Sequence, residues 1–216
     1  MLERKVVSVS IPRSGHHMLQ RILSAYFEPR FHYCETYLAA DCCRTFPCRR
    51  DHGENAVFLQ KTHDFNGKVP ILRHALYLVQ VRHIVPQTLS YFDYWLSHES
   101  TAGLDSEAAF RAFALDRLRR YKSFFGRWVR RPAESNIRLL VYERVMQNPI
   151  DEFAGVVEVL DDGRVDRTRL MSAVEREQVA LRRDIRRHRY YGSDVLRFIE
   201  NEAAREIAFL GLPRLF

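Results

Sequence analysis

Lys61-Thr62-His63 places a permanent cation and a titratable imidazole two residues apart. In an extended strand, such residues project to the same side. The imidazole titrates near neutrality, so it could take a proton from an attacking hydroxyl. The ammonium could stabilise negative charge on a departing phosphate. A histidine in a strand can equally serve packing alone, and the neighbouring lysine, one of only four in the chain, tips the balance toward chemistry. A second group, Pro12-Arg13-Ser14-Gly15-His16-His17, has the parts of an anion cradle. Its glycine permits close backbone approach, free N–H groups at a helix start point outward, and Arg13 adds a fixed charge. It lacks the G-x-x-x-x-G-K-[ST] pattern of the nucleotide triphosphate loop, and an ordinary strand-to-helix turn would read the same way. The third group is Arg82 with Ser90, a guanidinium and a hydroxyl eight residues apart that could share a phosphate. A salt bridge and a helix-face serine are the plainer alternative.

The elements around these groups give them a common geometry. Residues 6–11 are mostly apolar and predict a buried strand, and His16 to Tyr26 carries apolar residues at helical spacing. Residues 56–61 and 76–82 predict two more strands, with His63 and Arg82 at their C-terminal ends. A helix is expected over about 86–97, and a long amphipathic helix over about 106–130, with Phe110, Phe113, Ala114, Leu118, Tyr121, Phe125 and Trp128 on one side. A fourth strand is predicted at 137–142, and Asn148-Pro149 opens a helix to about Leu160. Further helices are expected near 166–183 and 194–210. Residues 29–55 lack a clean period and predict an irregular, Cys-rich insertion. Strands alternating with helices predict an α/β fold with a mainly parallel sheet. Such sheets bind ligands at the C-terminal ends of their strands, where Arg13, His63 and Arg82 all fall.

The chain has 216 residues, 46% hydrophobic and 28% charged, a balance that excludes a disordered or fibrous main state. No apolar run reaches the ~18 residues of a membrane span. No signal peptide is visible, so a cytoplasmic protein is expected. The net charge is +7, and 30 of the 34 basic residues are arginines. Arginine grips phosphate and sulfate bidentately, so a small polyanion fits this excess. Nucleic acid or an anionic membrane surface fits it too, as does a codon bias toward arginine. Cys34, Cys42, Cys43 and Cys48 match no standard zinc pattern. Reduced thiols are the expectation, with a metal or redox site and disulfides as alternatives.

The order of the three groups resembles the sulfotransferases that use 3′-phosphoadenosine 5′-phosphosulfate (PAPS). Pro12 to His17 is similar to their first loop, Pro-Lys/Arg-Ser-Gly-Thr-Thr. Lys61-Thr62-His63 is similar to the Lys-Thr-His strand end of cytosolic members. Arg82 with Ser90-Tyr91-Phe92, and Tyr142-Glu143 with Asn148-Pro149, match two further motifs at compatible spacing. The resemblance covers about residues 5–160 and implies a parallel sheet flanked by helices, like that of nucleotide kinases, in a single domain over 1–216. It also implies PAPS as sulfuryl donor, adenosine 3′,5′-bisphosphate as product, no metal, no nucleic-acid partner, and a hydroxyl or amine acceptor, carbohydrate or small molecule.

By position, Arg13 and the backbone of Ser14, Gly15, His16 and His17 would hold the 5′-phosphosulfate. His63 would be the base and Lys61 would stabilise the leaving oxygen. Arg82 and Ser90 would hold the 3′-phosphate, and Tyr142 would lie near adenine. The chain departs from the family at His16-His17, where threonines are usual; histidines there would make the loop pH-sensitive. It also lacks a clear Arg-Lys-Gly loop, for which Arg186 to Arg189 with Gly192 is the substitute, bringing in Arg187 and Arg189. A solvated basic helix end is the other reading of that run. The competing functions are a small-molecule kinase of related fold, which lacks its Walker-type lysine here, and a non-catalytic polyanion-binding module.

Overall fold

In a computed structural model, residues 5–35, 45–48, 50, 52, 53, 55–98, 100, 101, 103–130, 136–177 and 184–216 are described. The elements run β1 (Lys5–Ser10), α1 (His16–Phe27), β2 (Phe31–Glu35), β3 (Val57–Thr62), β4 (Ala75–Val81), α2 (Ile84–Leu96), α3 (Glu107–Phe124), β5 (Ile137–Val141), α4 (Tyr142–Gln147), α5 (Pro149–Leu160), α6 (Arg167–Arg176), α7 (Asp194–Glu202) and α8 (Ala204–Phe209). The five strands form one parallel sheet in the order β2-β3-β1-β4-β5, flanked by helices. Among the described residues, no helix is long and apolar enough to cross a membrane.

The chain divides into two compact units. The first, residues 1–10, 15–81 and 132–181, holds the sheet with α1, α4, α5 and α6. Register aligns Val6 with Leu59 and Leu76, and Ser8 with Lys61 and Leu78. One sheet face is therefore apolar at its N-terminal end, where Val6, Leu59 and Leu78 join Leu19, Ile22 and Leu23 of α1 in the core. Each such fully buried side chain contributes about 1.5–3 kcal/mol. Further along the strands the same face turns polar: Ser8, Lys61 and Glu35 share one level beside Leu78, and Ser10 and Gln80 share the next, with His63 just after β3; Tyr33 sits one level back, beside Leu59. The apolar half secures the sheet, and the polar half lies toward the C-terminal ends of the strands.

The second unit, residues 11–14, 82–131 and 182–216, is helical. Helices α2, α3 and α7 pack on one another around Phe92, Phe110, Leu118, Leu196 and Ile199. Tyr190 stacks on Phe110 at 4.3 Å. Ser106 caps α3 by accepting from the Ala109 N–H at 3.2 Å. Glu200, fully buried, accepts from the backbone N–H of Leu215 at 2.6 Å and of Phe216 at 3.0 Å, which anchors the C-terminal tail.

The expected irregular segment at 29–55 differs at its start. Phe31–Glu35 forms the edge strand β2, paired along its whole length with β3. The long helix expected to about 130 ends as α-helix at Phe124 and continues as a π turn over Phe125–Val129. The helix expected at 194–210 breaks at Ala203 into α7 and α8. Residues 178–183, the end of another expected helix, lie outside the described residues, as do Cys42 and Cys43. Cys34 and Cys48 are buried, and among the described residues no group of three ligating side chains could hold a metal.

Candidate active site

The turn after β1 carries two left-handed residues, Arg13 at φ 69° and Gly15 at φ 90°. The Ser14 N–H closes it on Ile11 O at 3.2 Å, and α1 begins at His16. At Gly15 an added Cβ would lie 2.8 Å from Cδ2 of Tyr142, the first residue of α4. Glycine is required there both by the backbone and by the tyrosine ring that covers it. In this way β5 and α4 present Tyr142 to the start of α1.

In the second unit, the described parts of the expected anion site come together. Arg13 Nε donates to Ser90 Oγ at 3.1 Å, and Arg82 Nη1 donates to the Arg13 carbonyl at 3.3 Å. Gln87, one turn before Ser90 on α2, donates to Pro12 O at 2.8 Å, and the Arg13 guanidinium lies 5.3 Å from the Tyr94 ring centre. Two guanidinium groups and a hydroxyl thus share one small region, an arrangement suited to a dianion. Ser14 is buried, and among the described residues its Oγ has no hydrogen-bond partner. A buried hydroxyl left unmatched costs about 1–3 kcal/mol, so it stands ready for a ligand acceptor or donor.

The first unit carries the titratable groups. His63 Nδ1 donates to Ser10 O at 2.8 Å, which fixes the tautomer and leaves the lone pair of the neutral ring on Nε2. Burial, reinforced by the Lys61 charge, lowers the His63 pKa to about 4. The ring is therefore neutral, and able to accept a proton, through the physiological range. Lys61 is buried and ion-paired with Glu35, its register partner on β2. Glu35 is held below its ordinary carboxylate range: burial works against ionisation, but bonds from Lys61 and Tyr33 outweigh it.

His16 corrects one expectation. Its ring turns inward, with Nδ1 3.1 Å from Ser8 Oγ and Nε2 2.8 Å from Tyr33 Oη. Burial, with Lys61 nearby, lowers its pKa to about 2. It does not titrate near neutrality, so the pH-sensitive loop expected of this histidine is absent. His17 is exposed, and its pKa is lowered by partial burial and by Lys61.

Of the C-terminal arginines, Arg189 is ion-paired with Asp105 and lies over the Tyr190 ring. Beside it, His188 Nε2 is 2.9 Å from Asp93 Oδ1. Arg187 has an 88% exposed side chain, 3.8 Å from Asp184. Asp93 lies on α2, one turn beyond Ser90. The residues sequence reading missed are Tyr33 and Gln87, while Glu35 entered only as part of an irregular stretch. The alternation Phe31-His32-Tyr33-Cys34-Glu35 was the available signal for a strand placing Tyr33 and Glu35 on one face.

No family model and no curated protein sequence matches the chain. Its fold is that of solved sulfotransferases. Mouse sulfotransferase SULT7A1 complexed with PAP aligns over 97% of this chain and 84% of its own, with a TM-score of 0.66 at 13% identity. A sulfotransferase from Alicyclobacillus acidocaldarius aligns over 99% and 98%, with a TM-score of 0.51 at 13% identity.

Proposed function

We propose that the chain is a sulfotransferase that moves a sulfuryl group from PAPS to a hydroxyl or amine acceptor. The observation that carries this reading is the meeting of Arg13 with Arg82 and Ser90, which lie 69 and 77 residues further along the chain. The shared fold and the PAP in the mouse structure support it.

In this reading, the backbone N–H groups of Gly15, His16 and His17 at the start of α1 hold the 5′-phosphosulfate, together with Arg13 and the unmatched Ser14 hydroxyl. Arg82 and Ser90 take the 3′-phosphate. The bond from Arg13 to Ser90 makes Arg13 part of that set as well. The exposed Arg187 is a further clamp for the 3′-phosphate, while the Arg189 ion pair with Asp105 suits a structural role. Tyr142 flanks the donor on its adenine side. His63 Nε2 takes the proton from the acceptor as its oxygen or nitrogen attacks sulfur in line. The bond from sulfur to the bridging phosphate oxygen breaks, and Lys61 stabilises the charge that remains on adenosine 3′,5′-bisphosphate. No enzyme-bound covalent intermediate forms.

The test is transfer of label from sulfur-labelled PAPS to a panel of carbohydrate, phenolic, lipid-linked and peptide-tyrosine acceptors, without magnesium. Labelled product with at least one class supports the reading. Absence of transfer to every class, together with no binding of adenosine 3′,5′-bisphosphate, would overturn it.

A further inference from the structure

The hydrogen-bond directions around His16 are determined by proton counting. Tyr33 has one hydroxyl proton, and it donates to Glu35 Oε2 at 3.1 Å. The Tyr33 oxygen must then accept from His16, so the ring carries its proton on Nε2. His16 Nδ1 is then an acceptor, and Ser8 Oγ donates to it. A one-way chain results: Ser8 to His16, His16 to Tyr33, Tyr33 to Glu35. Its carboxylate end is also where Lys61 Nζ binds, through Glu35 Oε1. The charged and titratable groups bearing on Glu35 include Lys61 and His63 from the β3 end, Tyr33 from β2 and His17 from α1.

Each link is built into the fold. Ser8 lies on β1 and Tyr33 on β2, with β3 between them in the sheet, and the His16 ring of α1 spans the two. The rings of His16 and Tyr33 are 5.7 Å apart. Burial keeps His16 neutral, so the chain cannot reverse by taking a second proton on Nδ1 at physiological pH. Hydrogen bonds aligned in this way polarise one another and rigidify the group at their end.

We propose that His16 and Tyr33 are positioning residues which, by anchoring Glu35, set the place of the Lys61 ammonium. The proposal rests on the reading of Lys61 as the group that meets the leaving phosphate. In the donor-bound enzyme, the carboxylate held by Tyr33 is the fixed point from which Lys61 reaches the departing oxygen. A histidine at this loop position then has a use of its own, distinct from anion binding.

The first test does not depend on activity. The chain has only four lysines, so 15N-lysine labelling gives a sparse side-chain spectrum. Tyr33→Phe, which removes one oxygen, should shift or broaden the Lys61 Nζ signal and leave those of Lys68 and Lys122 in place. Ring 15N spectra of the unaltered protein should show His16 as the Nε2–H tautomer. An unmoved Lys61 signal in folded Tyr33→Phe, or an Nδ1–H tautomer for His16, overturns the proposal. Should Tyr33→Phe fail to fold, His16→Gln, which keeps a donor near the Nε2 position, should preserve the Lys61 signal, and His16→Leu should move it. The opposite pattern overturns the proposal.

The second test reads catalysis. Tyr33→Phe should lower kcat by about tenfold, the worth of one hydrogen bond to a charged group. The dissociation constant for PAPS, whose bridging oxygen has not yet developed its charge, should not change. In a Glu35→Gln background, the same substitution should cost nothing further. Equal losses in both backgrounds overturn the proposal. If the unaltered protein transfers no sulfuryl group, the functional reading fails while the spectroscopic result stands by itself.

Discussion

Gly15→Ala should be among the most damaging single-methyl additions in the chain. The backbone there sits at φ 90°, which an L side chain tolerates poorly, costing about 2 kcal/mol. The new Cβ would also stand 2.8 Å from Tyr142 Cδ2, a contact that real Cβ atoms do not make. The ring is half-buried and packed at the first residue of α4, so it must shift, at about another 2 kcal/mol. Together these predict a loss of about 4 kcal/mol, a large share of the stability of a domain. Urea denaturation followed by far-ultraviolet circular dichroism gives the total. Adding Tyr142→Ala separates the parts. With the ring gone, the steric half of the Gly15→Ala penalty should disappear and the backbone half should remain. A Gly15→Ala cost below about 1 kcal/mol would refute the argument, since the left-handed term alone exceeds it. Full persistence of the loss beside Tyr142→Ala would refute the role given to the ring.

Three other outcomes are expected. Adenosine 3′,5′-bisphosphate at about 100 times its dissociation constant should stabilise the protein by about 2.7 kcal/mol in thermal melts. AMP should do much less, and Arg82→Ala should bring the two nucleotides level; equal shifts from both in the unaltered protein would remove Arg82 and Ser90 from the 3′-phosphate. His63→Gln should reduce turnover by about two to four orders of magnitude, with nucleotide binding by calorimetry nearly unchanged; near-normal turnover would exclude His63 as the base. The third outcome concerns acid. His63 and His83 have pKa values lowered to about 4 by burial, and that of His16 is lowered to about 2. Unfolded histidines titrate near 6.5, so the unfolded chain binds more protons between that pH and the folded values. Stability is therefore fully present above about pH 6.5 and falls as the pH drops toward 4, by an upper bound on the order of 2 kcal/mol per histidine at pH 5. Urea midpoints that stay constant from pH 7 to pH 5 would contradict the burial of all three.

The sequence made the strand ends legible because a parallel sheet writes its buried strands as continuous apolar runs. Val6 to Ile11, Val57 to Leu59 and Leu76 to Val81 are such runs, and the polar residues that interrupt or follow them include the candidate site residues. The same rule hid β2. An edge strand pairs on one side only, so Phe31-His32-Tyr33-Cys34-Glu35 needs no apolar run and reads as loop. With the strand hidden, the register that sets Glu35 beside Lys61 was hidden too, and Lys61 looked like an isolated cation. His16 was misread for a related reason. Spacing fixes that it opens α1, but the direction of its ring depends on a hydroxyl on β2, 17 residues further on. The Arg189 ion pair with Asp105 likewise depends on how two loops meet, which no local pattern encodes. The groups proposed to bind the anion were legible because they carry charge at an element's end. The groups that tune them were not, because their roles arise only from long-range hydrogen bonds. A site read from motifs alone therefore captures the candidate ligands of a substrate, and omits the side chains bonded to them across the sheet.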